Sequence, residues 1–199
     1  TEIYTLSLHD ALPILVGALD RIFSHFDSIM DRFNLEKLKT IGDAYMCAGG
    51  IPIENRTHEF DCILAALEIV DFIRETREEK KLTGKAFWEI RVGINTGPIM
   101  AGVVGEKKFV YDIWGDAVNV ASRLETADEP GRINISGSTH DRIKDYFECE
   151  ARGQITIKNH GSIHMYFVNR LKPEYSRDER GLQPNEKFLE AYRAMQAQA

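Results

Sequence analysis

At 199 residues, 43% of them hydrophobic, the chain is long enough for one domain with a sizeable core and a tail. Its formal net charge of −6 and its scattered basic residues argue against a dedicated nucleic-acid surface. No apolar run approaches the roughly 20 residues of a membrane-spanning helix, the N-terminus lacks the basic leader of a signal peptide, and Cys47, Cys62 and Cys149 suggest neither a disulfide framework nor a zinc site, which suits a reducing cytoplasm.

In chain order, Leu15 to Phe33 predicts an amphipathic helix, because Leu15, Leu19, Ile22, Phe23, Phe26, Ile29, Met30 and Phe33 recur at three- and four-residue steps. Leu35 to Ala48 predicts a hairpin whose turn is Gly42-Asp43, a pair suited to a tight reversal. Gly49-Gly50-Ile51-Pro52 breaks the chain before a second long helix, Thr57 to about Lys80, with Phe60, Ile63, Leu64, Leu67, Val70, Phe72 and Ile73 on its apolar face and His58 read as surface. Phe87 to Ile94 alternates cleanly, and Asn95 to Pro98 turns it into Ile99 to Val104, which reads as a hairpin beside the first. A short strand, Phe109 to Ile113, stops at Gly115, where a helix begins with Asp116 in its first turn. Asp112 interrupts this apolar strand and needs a partner if it is buried. Gly131 to Ser136 predicts a strand, and Ser138 is placed as the cap of a helix reaching about Tyr146. Phe147 to Lys158 and Ile163 to Val168 form strands joined by Asn159-His160-Gly161. Lys172 to Asn185 reads as a polar linker, and Glu186 to Gln196 as a terminal helix that docks on the domain or belongs to a partner surface.

On the helix after Gly115, Asn119 and Arg123 are four residues apart and share one face, while Val118, Val120, Ala121 and Leu124 pack the other side. An amide and a guanidinium held together on a rigid element suit a phosphoryl group: Arg offers a charged fork of donors, and Asn a neutral donor or acceptor. The plainer reading pairs Arg123 with Glu125 or Asp128 in a surface ion pair, an arrangement worth little.

Three blocks, K-T-I-G-D-A-Y-M (Lys39 to Met46), G-I-N-T-G-P-I-M-A-G-V-V-G (Gly93 to Gly105) and Y-D-I-W-G-D-A-V-N-V-A-S-R-L (Tyr111 to Leu124), resemble the catalytic domain of class III nucleotidyl cyclases, the adenylate and guanylate cyclases. The resemblance divides the chain into an atypical leader (1–14), a catalytic domain (15–170), and a polar linker with a short C-terminal helix (171–199). It implies an α+β fold: a ferredoxin-like, antiparallel-rich sheet with flanking helices, paired head to tail in a homodimer with active sites at the interface. The family places two metal-binding carboxylates, the first in an F-x-D-[IV]-x-G-F-T strand. Asp10 is the sole aspartate of the leader and lacks that context, so it takes no metal role, which counts against turnover by this chain.

The remaining site residues follow from the same resemblance. Asp43 matches the second metal carboxylate, for Mg²⁺ or Mn²⁺, two ions per site in the family. Lys39 and Asp112 stand where adenylate cyclases carry Lys and Asp, and where guanylate cyclases carry Glu and usually Cys. Lys158 matches the phosphate-binding Lys of V-K-G-x-G, with Asn159 in place of the first Gly. The implied reaction is attack of the ribose 3′-oxygen of ATP on its α-phosphorus, expelling pyrophosphate. Arg123 stabilises the charge that develops there and Asn119 orients the ribose. The competing expectation is a non-catalytic nucleotide-binding or dimerisation module. Relatives often carry upstream sensor or membrane segments.

Overall fold

The longest strands of the sequence form one hairpin at the edge of the main sheet. The structure, a computed structural model, describes residues 8–84, 87–105, 109–157 and 161–197. Strands β7 (Phe147–Ile157) and β8 (Gly161–Leu171) pair antiparallel from Phe147 opposite Leu171 to Ile157 opposite Gly161. β6 (Ile133–Ser136) joins β8 antiparallel, and β3 (Val92–Ile94) joins β6 in parallel, giving the order β3-β6-β8-β7. Two further hairpins stand beside this sheet: β1 (Glu36–Ile41) with β2 (Ala44–Ala48), and β4 (Met100–Val104) with β5 (Val110–Trp114). Helices α1 (Leu8–Arg32), α2 (His58–Leu82), α3 (Asp116–Thr126), α4 (Gly137–Ile143) and α5 (Glu186–Gln196) complete an α+β fold.

Helix α2 is buried on two sides, which its sequence foreshadows by carrying apolar residues around most of its circumference. Phe60, Ile63, Leu64 and Leu67 face Ile133 and Ile135 of β6 and Phe147, Val168 and Leu171 of the β7–β8 hairpin. Ala65, Ile69 and Ile73 face Phe26, Ile29 and Met30 of α1. Each fully buried aliphatic side chain in these clusters stabilises the fold by roughly 1.5–3 kcal/mol relative to exposure.

Several expectations need correction. Helix α1 starts at Leu8, not Leu15. It runs through Pro13, whose missing N–H removes one ladder bond near the end of a 25-residue helix. The strand expected from Phe87 shortens to Val92–Ile94 and does not form a hairpin with β4. The physical reason lies in the turn. The Thr96 N–H donates to Thr139 Oγ1 (2.9 Å) and the Ser138 hydroxyl donates to the Thr96 carbonyl (2.8 Å), so the loop is held on the start of α4 and the chain crosses to a second sheet. The cap of α4 is Ser136, which accepts from the Thr139 N–H at 3.3 Å, and Ser138 lies inside the helix. His58 is half-buried rather than a surface residue. It bonds the Asn55 carbonyl through Nδ1 (2.8 Å) and Glu59 through Nε2 (3.2 Å), and the Glu59 carboxylate raises its pKa.

Residues beyond Leu171 fold back onto the domain. Arg180 grips both carboxylate oxygens of Asp71 at 3.0 Å. Asn185 caps α5 by accepting from the Phe188 N–H at 3.1 Å. Phe188, 1% exposed, sits among the rings of Phe60, Tyr146, Phe147, Tyr175 and Tyr192.

Candidate active site

The strand-to-helix unit β5–α3 turns sharply at Gly115, whose φ of 146° suits glycine. A side chain there would also meet the Pro98 carbonyl at 3.0 Å. Helix α3 then lies directly on β3. A Cβ at Gly93 would fall 2.2 Å from the Glu125 N and 2.4 Å from the Ala121 carbonyl oxygen, so only a residue without a side chain permits this approach. The sequence signal was present, since an isolated Gly inside an alternating strand marks close backbone contact.

Ala117, Val120 and Leu124 form the buried face of α3; Ala117 joins the expected set, while Val118 and Ala121 are only half-buried. Asn119 and Arg123 are exposed on the other side and make no side-chain hydrogen bond or ion pair among the described residues. The surface-pair reading of Arg123 is not realised. Glu125 is engaged by Arg91 at 2.9 Å, and Asp128 accepts from the Val92 N–H at 2.9 Å. Arg123 therefore presents its guanidinium outward.

Lys39 and Asp112 come together from β1 and β5, with Lys39 Nζ 2.5 Å from Asp112 Oδ2. The second oxygen of Asp112 accepts from the Ile113 N–H at 2.9 Å. Lys39 first, then this backbone donor, hold the carboxyl below the usual aspartate range. Asp112 thus has the partner that its place in an apolar strand demanded. Asp43 lies exposed at the tip of the β1–β2 hairpin, after the register pair Ile41–Ala44. Lys158, with Asn159 and His160, lies outside the described residues.

The donor set decides what metal chemistry the chain can support. Among the described residues no group of three His, Cys, Asp or Glu converges to hold an ion. Asp43 fits as one carboxylate on an ion that arrives with a triphosphate, since Mg²⁺ sites are commonly completed by substrate phosphates and water. It does not by itself fit a two-ion centre.

Comparison with known proteins gives this geometry a family. Residues 5–170 match the family described as the adenylate and guanylate cyclase catalytic domain. The chain belongs to that family. An adenylate cyclase of Mycobacterium tuberculosis is 38% identical to this cyclase domain over 171 residues, covering 85% of the chain and 38% of the relative. Human guanylyl cyclase C is 41% identical over 164 residues, covering 80% of the chain and 15% of the relative. Among solved structures, the adenylyl cyclase CyaB from P. aeruginosa superposes with a TM-score of 0.74 at 29% identity, covering 81% of this chain and 85% of that one. The cyclase domain thus spans well under half the length of both curated relatives, which carry opposite nucleotide names at similar identity.

Proposed function

We propose that the domain converts ATP to 3′,5′-cyclic AMP and pyrophosphate as the catalytic part of a cytoplasmic signalling protein. The observation that carries the reading is the Lys39–Asp112 pair at 2.5 Å. Adenine presents an exocyclic amine and a ring nitrogen, which suit a carboxylate acceptor and an ammonium donor. Guanine presents a carbonyl oxygen that a carboxylate faces unfavourably, and a site built of polar partners rejects a mismatched base because the mismatch leaves them unpaired. Overall identity does not separate adenylate from guanylate cyclases here, and the chemistry of this pair is what favours ATP in our reading.

Arg123 and Asn119, unpaired among the described residues, are available to the phosphoryl group and the ribose. Arg123 stabilises negative charge that builds on the α-phosphoryl and leaving oxygens, and Asn119 holds the ribose for attack by its 3′-oxygen. Lys158 is assigned to the phosphate tail. Assembly as a homodimer is supported by the β4–β5 hairpin, where Met100, Val103, Val104, Phe109, Val110 and Trp114 expose apolar side chains without a covering layer among the described residues. Asp43 on one copy would then complete a site with Arg123 of the other.

The second reading, a non-catalytic nucleotide-binding module, is favoured by the single metal carboxylate. Initial rates of cyclic-nucleotide formation from ATP and from GTP, with Mn²⁺ present, separate the two. The expected result is cyclic AMP from ATP, with preference moving toward GTP in Lys39→Glu/Asp112→Cys. An unchanged preference removes the base-recognition roles. Nucleotide binding without turnover on either substrate establishes the second reading.

A further inference from the structure

We infer that Asn134, with Asn95, is a positioning residue that fixes helix α3 along its axis and so places Asn119 and Arg123 together. Asn134 is 0% exposed and sits between the buried Ile133 and Ile135 of β6. Its Nδ2 donates to the Leu124 carbonyl at 2.8 Å, and its Oδ1 has no partner among the described residues. A buried amide with one idle oxygen destabilises a core relative to an apolar side chain of the same shape. The same Nδ2 also lies 3.5 Å from Met165 Sδ, a weak acceptor, so the Leu124 bond is its strong one.

That bond reaches a particular oxygen. In the last turn of α3 the Ala127 N–H goes to Arg123 and the Asp128 N–H goes to Glu125. The Leu124 carbonyl is passed over and belongs to the helix-end acceptors that lack an intrahelical donor. Asn134 supplies that donor from the neighbouring sheet. It stands opposite Gly93 in the β3–β6 register, at the level where the missing side chain lets α3 rest on β3. A smooth glycine contact permits a helix to slide; a directional bond beside it does not.

The other end is held in the same way. Asn95 Nδ2 donates to the Ala117 carbonyl in the first turn at 3.2 Å, while Asn95 Oδ1 accepts from the Ser138 hydroxyl at 3.3 Å. Ala117 and Leu124 are seven residues apart, two turns along one side of the helix. Asn119 and Arg123 lie between them. Any axial slip of α3 displaces both functional side chains, and a misplacement of about 1 Å costs on the order of 10²-fold in turnover.

The catalytic part of this inference rests on the cyclase reading, while the mechanical part does not. The test is Asn134→Leu in the full chain, which fills the same volume without the donor. Amide exchange in α3 is expected to accelerate by about tenfold with the melting temperature nearly unchanged, and kcat to fall by about 10- to 100-fold with KM almost constant. Unchanged α3 exchange, or unchanged kcat with accelerated exchange, overturns the inference. If Asn134→Leu does not fold, Asn95→Ala at the half-buried end carries the same readouts. If the unmodified chain forms no cyclic nucleotide, the cyclase reading falls and α3 exchange alone decides whether the two asparagines hold the helix.

Discussion

Along β6 every residue is buried, whereas four of the five residues of β4 are exposed, although both strands are rich in Ile, Val or Met. The difference lies in their neighbours. β6 is flanked by β3 and β8, with α2 packed on one face and α3 on the other, so its side chains lose water on both faces. β4 pairs with β5 alone. Stability is concentrated in the four-stranded sheet and the helices on it. The residues proposed to bind and react stand on its margins: Asp43 on one hairpin, Asp112 on the other, Asn119 and Arg123 on the outer face of α3. A rigid interior thus orients groups that remain open at the surface, where the proposed function places a nucleotide and a second copy.

Substitutions on the two sides should separate these roles. Phe188→Ala empties the aromatic cluster under α5 and should cost about 3–5 kcal/mol of unfolding free energy, read by urea denaturation, while activity per folded molecule persists. Arg123→Ala is the converse: a melting temperature within a few degrees of the unmodified protein and kcat lower by about 10²–10³-fold, with KM nearly constant. A rise in KM at constant kcat would reassign Arg123 to ground-state binding. On the exposed hairpin, Phe109→Asp should weaken self-association by about tenfold or more in sedimentation equilibrium without unfolding the monomer. Self-association that is indifferent to this change would remove the hairpin from the interface.

The smallest effect is expected inside the core. Asp61, buried at the start of α2, accepts from Tyr192 at 2.5 Å and from Thr57 at 3.0 Å. Burial outweighs these donors and raises its carboxyl above the ordinary aspartate range, and burial also pushes the Tyr192 hydroxyl up to about 12. The folded state therefore binds a proton more tightly than the unfolded state does. The stability this adds is full below the ordinary aspartate pKa and is lost as pH rises through the raised one. Asp61→Asn keeps an acceptor for Tyr192 and should flatten that part of the pH–stability curve. An unaltered slope would assign it to another group.

Local pattern made much of the chain legible. The β1–β2 hairpin with Asp43 at its tip, the β5–Gly115–α3 unit with Asn119 and Arg123 on one face, and the β7–β8 hairpin each follow from periodicity and turn residues within about twenty positions. The partner of β3 was not legible, because a three-residue strand with an apolar alternation pairs equally well with β4 or β6. The decision came from hydroxyls on α4, more than forty residues away. The short C-terminal helix has only a few apolar positions, and its docking depends on a pocket assembled by α2, β7 and the Pro173–Tyr175 turn.

The sequence by itself determined which chemical groups this protein carries and the faces they occupy, because those depend on backbone periods of 3.6 and 2 and on turn chemistry. Tertiary structure alone decided which groups meet. Lys39 and Asp112 are 73 residues apart and pair because two separate hairpins are set side by side. Asn134 reaches Leu124 because a glycine on the adjacent strand lets a helix come within backbone contact. Such meetings depend on packing across the whole domain, and no local stretch of the chain encodes them.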